Sequence, residues 1–246
     1  MKKRKRLWCV GICLILFFQV PLSTFASNPS LSNLAEQNIY YDEDTNQYVT
    51  NFILIENGVS REISFQEFKK ITSNSQEVSF KPQDTLIEPM STIYFSKFIE
   101  SSRSEVTDKK KSLVVTQWYE ARYAPEKITV AESKTIQNSF NVSLTGAQKD
   151  SIFAKVSGGY TRSASTSKSI SGTQTVPKGY KGRVRFAPTL LVLKGDVENW
   201  KHQDGTLNPV LIDITRNVVA SYPRKTDTDF ADGLYYTEIE KLPPEY

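Results

Sequence analysis

The sequence predicts a mainly β protein: an elongated antiparallel sheet or sandwich with one or two short helices and a small N-terminal strand-strand-helix unit. Three observations carry that prediction. Residues 134–197 open on alternation, with Ile136, Phe140, Val142 and Leu144 on one face, interrupted by Asn138, and Gln137, Ser139, Asn141, Ser143 and Thr145 on the other. The stretch then turns at Pro177 to Tyr180 and returns along Arg183 to Phe186 and Leu190 to Leu193. Turn dipeptides and Ser/Thr-rich runs recur at short spacing along the whole chain, as all-β architectures require.

The N-terminus sets the compartment. Lys2 to Arg6 form a basic n-region, Leu7 to Val20 an apolar core, and Thr24-Phe25-Ala26 a small-residue cleavage site. This is a secretory signal peptide with cleavage expected after Ala26. The alternative is a retained anchor, but the apolar core falls short of the roughly 20 residues a spanning helix needs. Both cysteines, Cys9 and Cys13, lie inside this leader, so the mature chain has no disulfide, no thiol nucleophile and no thiolate metal site. Such a secreted chain depends on its own apolar core. Removing the five basic residues of the n-region from 31 leaves 26 against 27 acidic residues, a mature net charge of −1. Nucleic-acid binding has no electrostatic support.

In chain order, residues 27–37 form a polar leader and residues 38–100 a small β-rich unit. Ile39 to Tyr41 and Tyr48 to Glu56 flank an acidic turn, and Asn57-Gly58 separates Phe52–Ile55 from Val59–Ile63 as a tight hairpin. Ser64 and Glu67 have the spacing of a capping box, which predicts a helix over Phe65–Ile71 with Phe65, Phe68 and Ile71 on one face. Residues 72–76 read as a linker, and Val78–Phe80 and Thr92–Phe95 as short strands. Ser101 to Ser112 is polar and charged, with Val106 its one apolar residue, and is expected to be a linker or exposed loop. A main β domain then occupies 113–246, with strands at Leu113–Tyr119, Ile128–Val130, Val210–Thr215, Val218–Tyr222 and Leu234–Ile239. Residues 147–156 fit either a strand (Ile152, Ala154, Val156) or a short helix (Ile152, Val156), with the helix preferred.

Chemistry is scarce. His202, the one histidine, lies in a turn with no Gly-x-Ser-x-Gly elbow to supply a nucleophile, so no triad can be built. Asp42, Asp44 and Asn46 open like a calcium loop, but Gln47 stands where the turn glycine belongs and Ile53 where the bidentate Glu belongs. They read as an acidic hairpin turn, and Asp227, Asp229 and Asp232 as a solvated acidic turn. No catalytic residue, metal-ligand set or cofactor motif can be named, and the chain is expected to be non-enzymatic. Aromatics gather at Trp118, Tyr119 and Tyr123 and at Tyr235 and Tyr236. Exposed, they are a candidate binding surface for sugars or a membrane interface; packed, they fill a sheet face, the commoner role.

The Ser/Thr-rich stretch and residues 172–186, followed by Leu191 to Gly195, resemble a group of uncharacterised secreted proteins from Bacillus and related Gram-positive bacteria. The amphipathic Ser/Thr strands are also distantly similar to β-pore-forming toxins of the aerolysin and epsilon-toxin class. The likeness covers roughly residues 130–197 and carries no catalytic motif. Two functions are therefore expected. The first is a secreted binding or structural protein of the extracellular space or cell wall, with a cell-wall or membrane-surface partner. The second is an aerolysin-like pore former that assembles with copies of itself and inserts residues 136–161. Strands of about 9–11 residues with one polar face are what a β-barrel pore requires. The ligand itself is not readable from the chain.

Overall fold

One strand organises the molecule. In the computed structural model, which describes residues 38–74, 76–77, 93–130, 133–167, 174–203, 205–225 and 230–244, Tyr180–His202 runs as a single 23-residue strand. At about 3.3 Å per residue it spans roughly 70 Å, and it changes neighbours on both sides along the way.

The elements in order are β1 (Tyr40–Asp42), β2 (Gln47–Glu56), β3 (Val59–Ile63), α1 (Phe65–Ser73), β4 (Gln76–Glu77) and β5 (Ile93–Thr107). A 3-10 turn (Lys109–Lys111) leads to β6 (Leu113–Val114), β7 (Tyr119–Ala121), β8 (Glu126–Ile128), β9 (Thr135–Gln137), β10 (Ser139–Phe140) and α2 (Gly146–Phe153). After these come β11 (Ser163–Ser165), β12 (Gln174–Val176), β13 (Tyr180–His202), β14 (Val210–Pro223) and β15 (Gly233–Lys241). An eleven-stranded antiparallel sheet holds most of the strands and is not closed into a barrel; β11-β9 and β12-β8 form two small ladders beside it.

The first half of β13 pairs with β15 from Tyr180↔Lys241 to Pro188↔Gly233, with β6 and β7 on its other side. The second half pairs with β5 from Thr189↔Thr107 to His202↔Ile93, and with β14. The changeover falls at Pro188. Proline has no amide hydrogen to give a ladder, so it suits the point where one neighbour ends and the next begins. Its carbonyl still accepts from Asp108 N at 3.2 Å.

Three apolar layers result. Val184, Phe186, Ile53, Ile55 and Tyr235 face Val115, Ile128, Ile136, Ala164 and Val176. On the opposite face, Phe52, Leu54, Leu234 and Tyr236 pack against Phe65, Phe68 and Ile71 of α1. Further along, Leu191, Leu193, Val197, Phe98, Val218, Ala220 and Tyr222 are covered by Ile152 of α2 with Phe140, Val142, Leu144, Phe153 and Val156.

The hairpin and both helices follow the sequence. Asn57 and Gly58 both take positive φ (51° and 75°), as a two-residue turn of this kind demands. Ser64 caps α1 by accepting from Glu67 N, while the Glu67 carboxylate is drawn to Arg61 at 2.5 Å instead of completing the box. The ambiguous stretch is helical, and Thr145 and Gln148 form the reciprocal capping box there.

Three expectations are corrected. Residues 101–107, expected as loop or linker, continue β5: Arg103 and Thr107 are buried on one face while Ser102 and Ser104 lie on the other. The polar composition reflects an open sheet face and a buried, paired arginine. Within residues 136–145 there are only two short strands, β9 and β10, broken at Asn138 because β9 pairs with β11 and β10 with β14, and residues 141–145 leave the sheet and lead to the cap of α2. Asp232 is buried at 1% exposure, not solvated; Arg224 Nε lies 3.1 Å from its carboxylate and Asn57 N donates to it at 3.0 Å. The predicted strand at 78–80 and Asp227 and Asp229 lie outside the described residues. β2 pairs with β15 and β5 with β13, so strands from 38–100 and from 113–246 share one sheet.

Candidate binding surface

The far end of the ribbon formed by β5, the second half of β13, and β14 is unlike the rest of the surface. Twelve large apolar residues are exposed in the described chain, and six of them lie here: Tyr94, Phe95, Leu207, Val210, Leu211 and Ile212. Such a concentration on a folded surface marks a contact site far more often than scattered single residues do.

Register explains how both faces become apolar. Phe95 and Leu211 are each the direct partner of Trp200, so the three side chains form one row on one face. One residue further out, Tyr94 and Val210 each pair with Lys201, and alternation places that row on the opposite face. A β-bulge between Asn199 and Trp200 inserts Ile212 into β14 as an extra residue, 54% exposed. Beyond the strand ends, Thr206 donates through both its backbone N–H and its hydroxyl to Gln203 O, at 3.1 and 2.6 Å. Gly205 takes φ 83° there, and Leu207 stands 97% exposed.

Immediately behind this cap the ribbon turns polar. On one face Ser96 Oγ, Asn199 and Asp213 are linked across three strands, Ser96 donating to Asn199 Oδ1 at 2.7 Å and Asn199 Nδ2 to Asp213 Oδ1 at 2.7 Å. On the other, Trp200 Nε1 donates to Glu198 at 3.1 Å, and Glu198 pairs across the strand with Lys97.

The aromatics singled out from sequence fall elsewhere and apart. Tyr235 and Tyr236 are 0% exposed, in two different apolar layers on opposite faces of the sheet, and present no surface. Burial raises both phenols, that of Tyr235 to about 12, and each hydroxyl donates inward, to Ser167 O and Ser112 Oγ. Tyr119 packs against the core beside Gly182. Trp118 is half-buried beneath the cations of Lys181 and Arg183, whose charges lie 4.7 and 4.5 Å from its ring. Tyr123 is 77% exposed, near the C-terminal prolines and far along the chain from the ribbon's end. The sequence signal for the ribbon's end was the run Val210-Leu211-Ile212 with Trp200 and Tyr94-Phe95, which read as ordinary strand material.

A cleft of about 580 Å³ lies between α1 and the junction of β5 with β13. Its charges largely satisfy one another. Arg224 contacts Asp232 and Glu105 at 3.1 and 3.4 Å, Tyr160 OH donates to Glu105, and Arg61 meets Glu67. Burial raises the Asp232 carboxyl, with Arg224 opposing. Asp42 and Asp44, read as a turn, converge on Lys109 Nζ at 2.8 Å each. Among the described residues no group of three or more His, Cys, Asp or Glu is placed to hold a metal, and no helix is long and apolar enough to cross a membrane. No protein-family model, curated protein or solved structure matches this chain.

Proposed function

We propose that the mature chain is a secreted, non-enzymatic binding protein that engages an extracellular target through the apolar end of the β5-β13-β14 ribbon. The observation that carries this reading is the clustering of Tyr94, Phe95, Leu207, Val210, Leu211 and Ile212 at that end, with no shared fold requirement to expose them. A sheet end whose only task was stability would carry polar residues or charges. The test is retention of residues 27–246 on a phenyl matrix, compared with a Leu207→Ser/Val210→Ser/Ile212→Ser variant. The wild type is expected to be retained and the variant to elute early with an unchanged melting temperature. Equal elution overturns the proposal.

A second reading, an aerolysin-like pore former, is favoured by one observation. Residues 139–160 lie as a separate layer on the second half of the sheet, with Phe140, Val142, Leu144, Ile152, Phe153 and Val156 all turned towards it. The strand ladder of that layer is two residue pairs long, Ser139↔Ser221 and Phe140↔Ala220, with single backbone links beyond it from Asn141 N to Val219 O and from Lys225 N to Gly159 O. A pore former releases dye from liposomes and yields SDS-resistant homo-oligomers; absence of both removes this reading.

A further inference from the structure

We infer that the target of the ribbon's end is the interfacial region of a lipid bilayer; this rests on the binding reading above and names its partner. Four features of the end lead there.

The first is its shape. Phe95, Trp200 and Leu211 cover one face, Tyr94 and Val210 the other, and Leu207 stands beyond both. A rigid protein partner would need a socket enclosing all three sides, whereas a fluid interface closes around such a wedge without being shaped for it. The second is size. Stable protein interfaces engage about 20–30 residues a side, and this cap offers six exposed apolar side chains. It is too small to hold a second copy of the chain in a stable dimer.

The third is depth. From the turn to the Phe95-Trp200-Leu211 row is about three residues of strand, or roughly 10 Å. Interfacial segments bury their apolar face about 5–10 Å into the headgroup and acyl boundary. The polar belt of Ser96, Asn199 and Asp213 begins where that depth ends. Trp200 fits the same layering: its indole N–H is held by Glu198, one pleat further from the end, and its ring is left with the apolar residues. Trp and Tyr favour this amphipathic position at membrane boundaries.

The fourth is charge. The described charges at this level are Lys97 and Lys201 against Glu198 and Asp213; Asp204 lies outside the described residues. Equal signs at headgroup depth suit a zwitterionic surface, so attachment does not require anionic lipid.

Trp8 is removed with the leader, so a Trp118→Phe variant of residues 27–246 leaves Trp200 as the one tryptophan. Mixed with phosphatidylcholine vesicles, this protein should show blue-shifted emission, and bromine on the lipid acyl chains should quench it. Adding Leu207→Ser/Val210→Ser/Ile212→Ser should weaken partitioning by about a thousandfold, since each large apolar side chain is worth about tenfold or more. Phosphatidylglycerol in the vesicles should change partitioning little.

No quenching by protein that is still retained on the phenyl matrix overturns the lipid assignment and leaves the binding reading standing. Loss of retention as well means that the end is not adhesive, and both fall. Binding restricted to phosphatidylglycerol vesicles overturns the apolar wedge. A blue shift without lipid that tracks protein concentration and a doubled mass assigns the surface to a second copy instead. Should Trp118→Phe fail to fold, co-sedimentation of wild type and tip variant with the same vesicles makes the same decision.

Discussion

Replacing Lys109 with methionine should destabilise the protein more than any other change to a single charged residue on its surface turns. Lys109 follows β5 in the 3-10 turn, and its side chain is 5% exposed. Its ammonium donates to both oxygens of Asp42, at 2.8 and 3.0 Å, and to Asp44 at 2.8 Å, and lies 5.2 Å from the centre of the Phe68 ring. The Asp42 side chain is 0% exposed. Methionine preserves the stem and leaves that carboxylate buried without its cation, which costs about 3–5 kcal/mol. At about 2–4 °C per kcal/mol for a chain of this size, the melting temperature should fall by roughly 10 °C. The Asp44 side chain is 63% exposed, so Asp44→Asn should cost under about 1 kcal/mol. Adding Asp42→Asn to Lys109→Met should recover a large part of the loss, because the stranded charge is then gone. Urea unfolding of the four proteins measures all three quantities. A Lys109→Met protein within about 1 kcal/mol of wild type would refute the reasoning.

The same pair predicts an alkaline limb. Burial pushes the Lys109 ammonium down, but its hydrogen bonds to Asp42 and Asp44 outweigh this and hold it above its ordinary 10.5. What the raised Lys109 ammonium contributes is therefore fully present just below pH 10.5 and is lost as pH rises through its raised value. Wild type should lose more stability there than Lys109→Met, whose remaining alkaline loss comes from buried phenols such as that of Tyr235, raised to about 12.

Three further outcomes follow from packing and charge. Gly195→Ala would place a Cβ 2.1 Å from Ile99 O and 2.8 Å from the Phe98 ring, where β5 shifts register against β13. It should cost several kcal/mol, at the upper end of overpacking (about 1–3 kcal/mol or more), seen as a lowered urea midpoint. Ile152→Ala removes the fully buried side chain with which α2 covers Leu191, Leu193 and Val197, and should cost about 2–5 kcal/mol by the same measure. Glu238 is pushed up by burial but pulled further down by Arg183 and Arg185, with Arg183 Nε at 2.8 Å and Arg185 Nη1 at 3.0 Å. Its contribution is present above pH 4.5 and lost as pH falls through its lowered value, so Glu238→Gln should flatten the acid limb of thermal stability.

What could be read from the chain follows the distance over which each signal acts. The β2-β3 hairpin was legible because Asn57 and Gly58 are the residues that tolerate positive φ, a property of two neighbours. Helix α1 was legible from Ser64 and the spacing of Phe65, Phe68 and Ile71, all within one short segment. The second capping box, Thr145 to Gln148, is just as local and marks the start of α2.

Residues 101–107 were not legible. Arg103 reads as a loop residue until Lys155 O, 52 positions away, accepts from it at 2.8 Å. Asp232 and Asp42 read as solvated turns until Arg224 and Lys109 reach them.

The sequence by itself determined the mainly β character of the chain, because short hydrophobic periodicities and turn dipeptides set it. The tertiary structure alone decided that Tyr235 and Tyr236 lie inside while Tyr94, Leu207, Val210 and Ile212 lie outside. All are apolar or aromatic residues in or beside strands, and the patterns around them are alike. What separates them is which strands lie alongside: β15 has β2 and β13 on its two sides and apolar layers on both faces, while among the described residues none of the apolar layers extends over the end of the β5-β13-β14 ribbon.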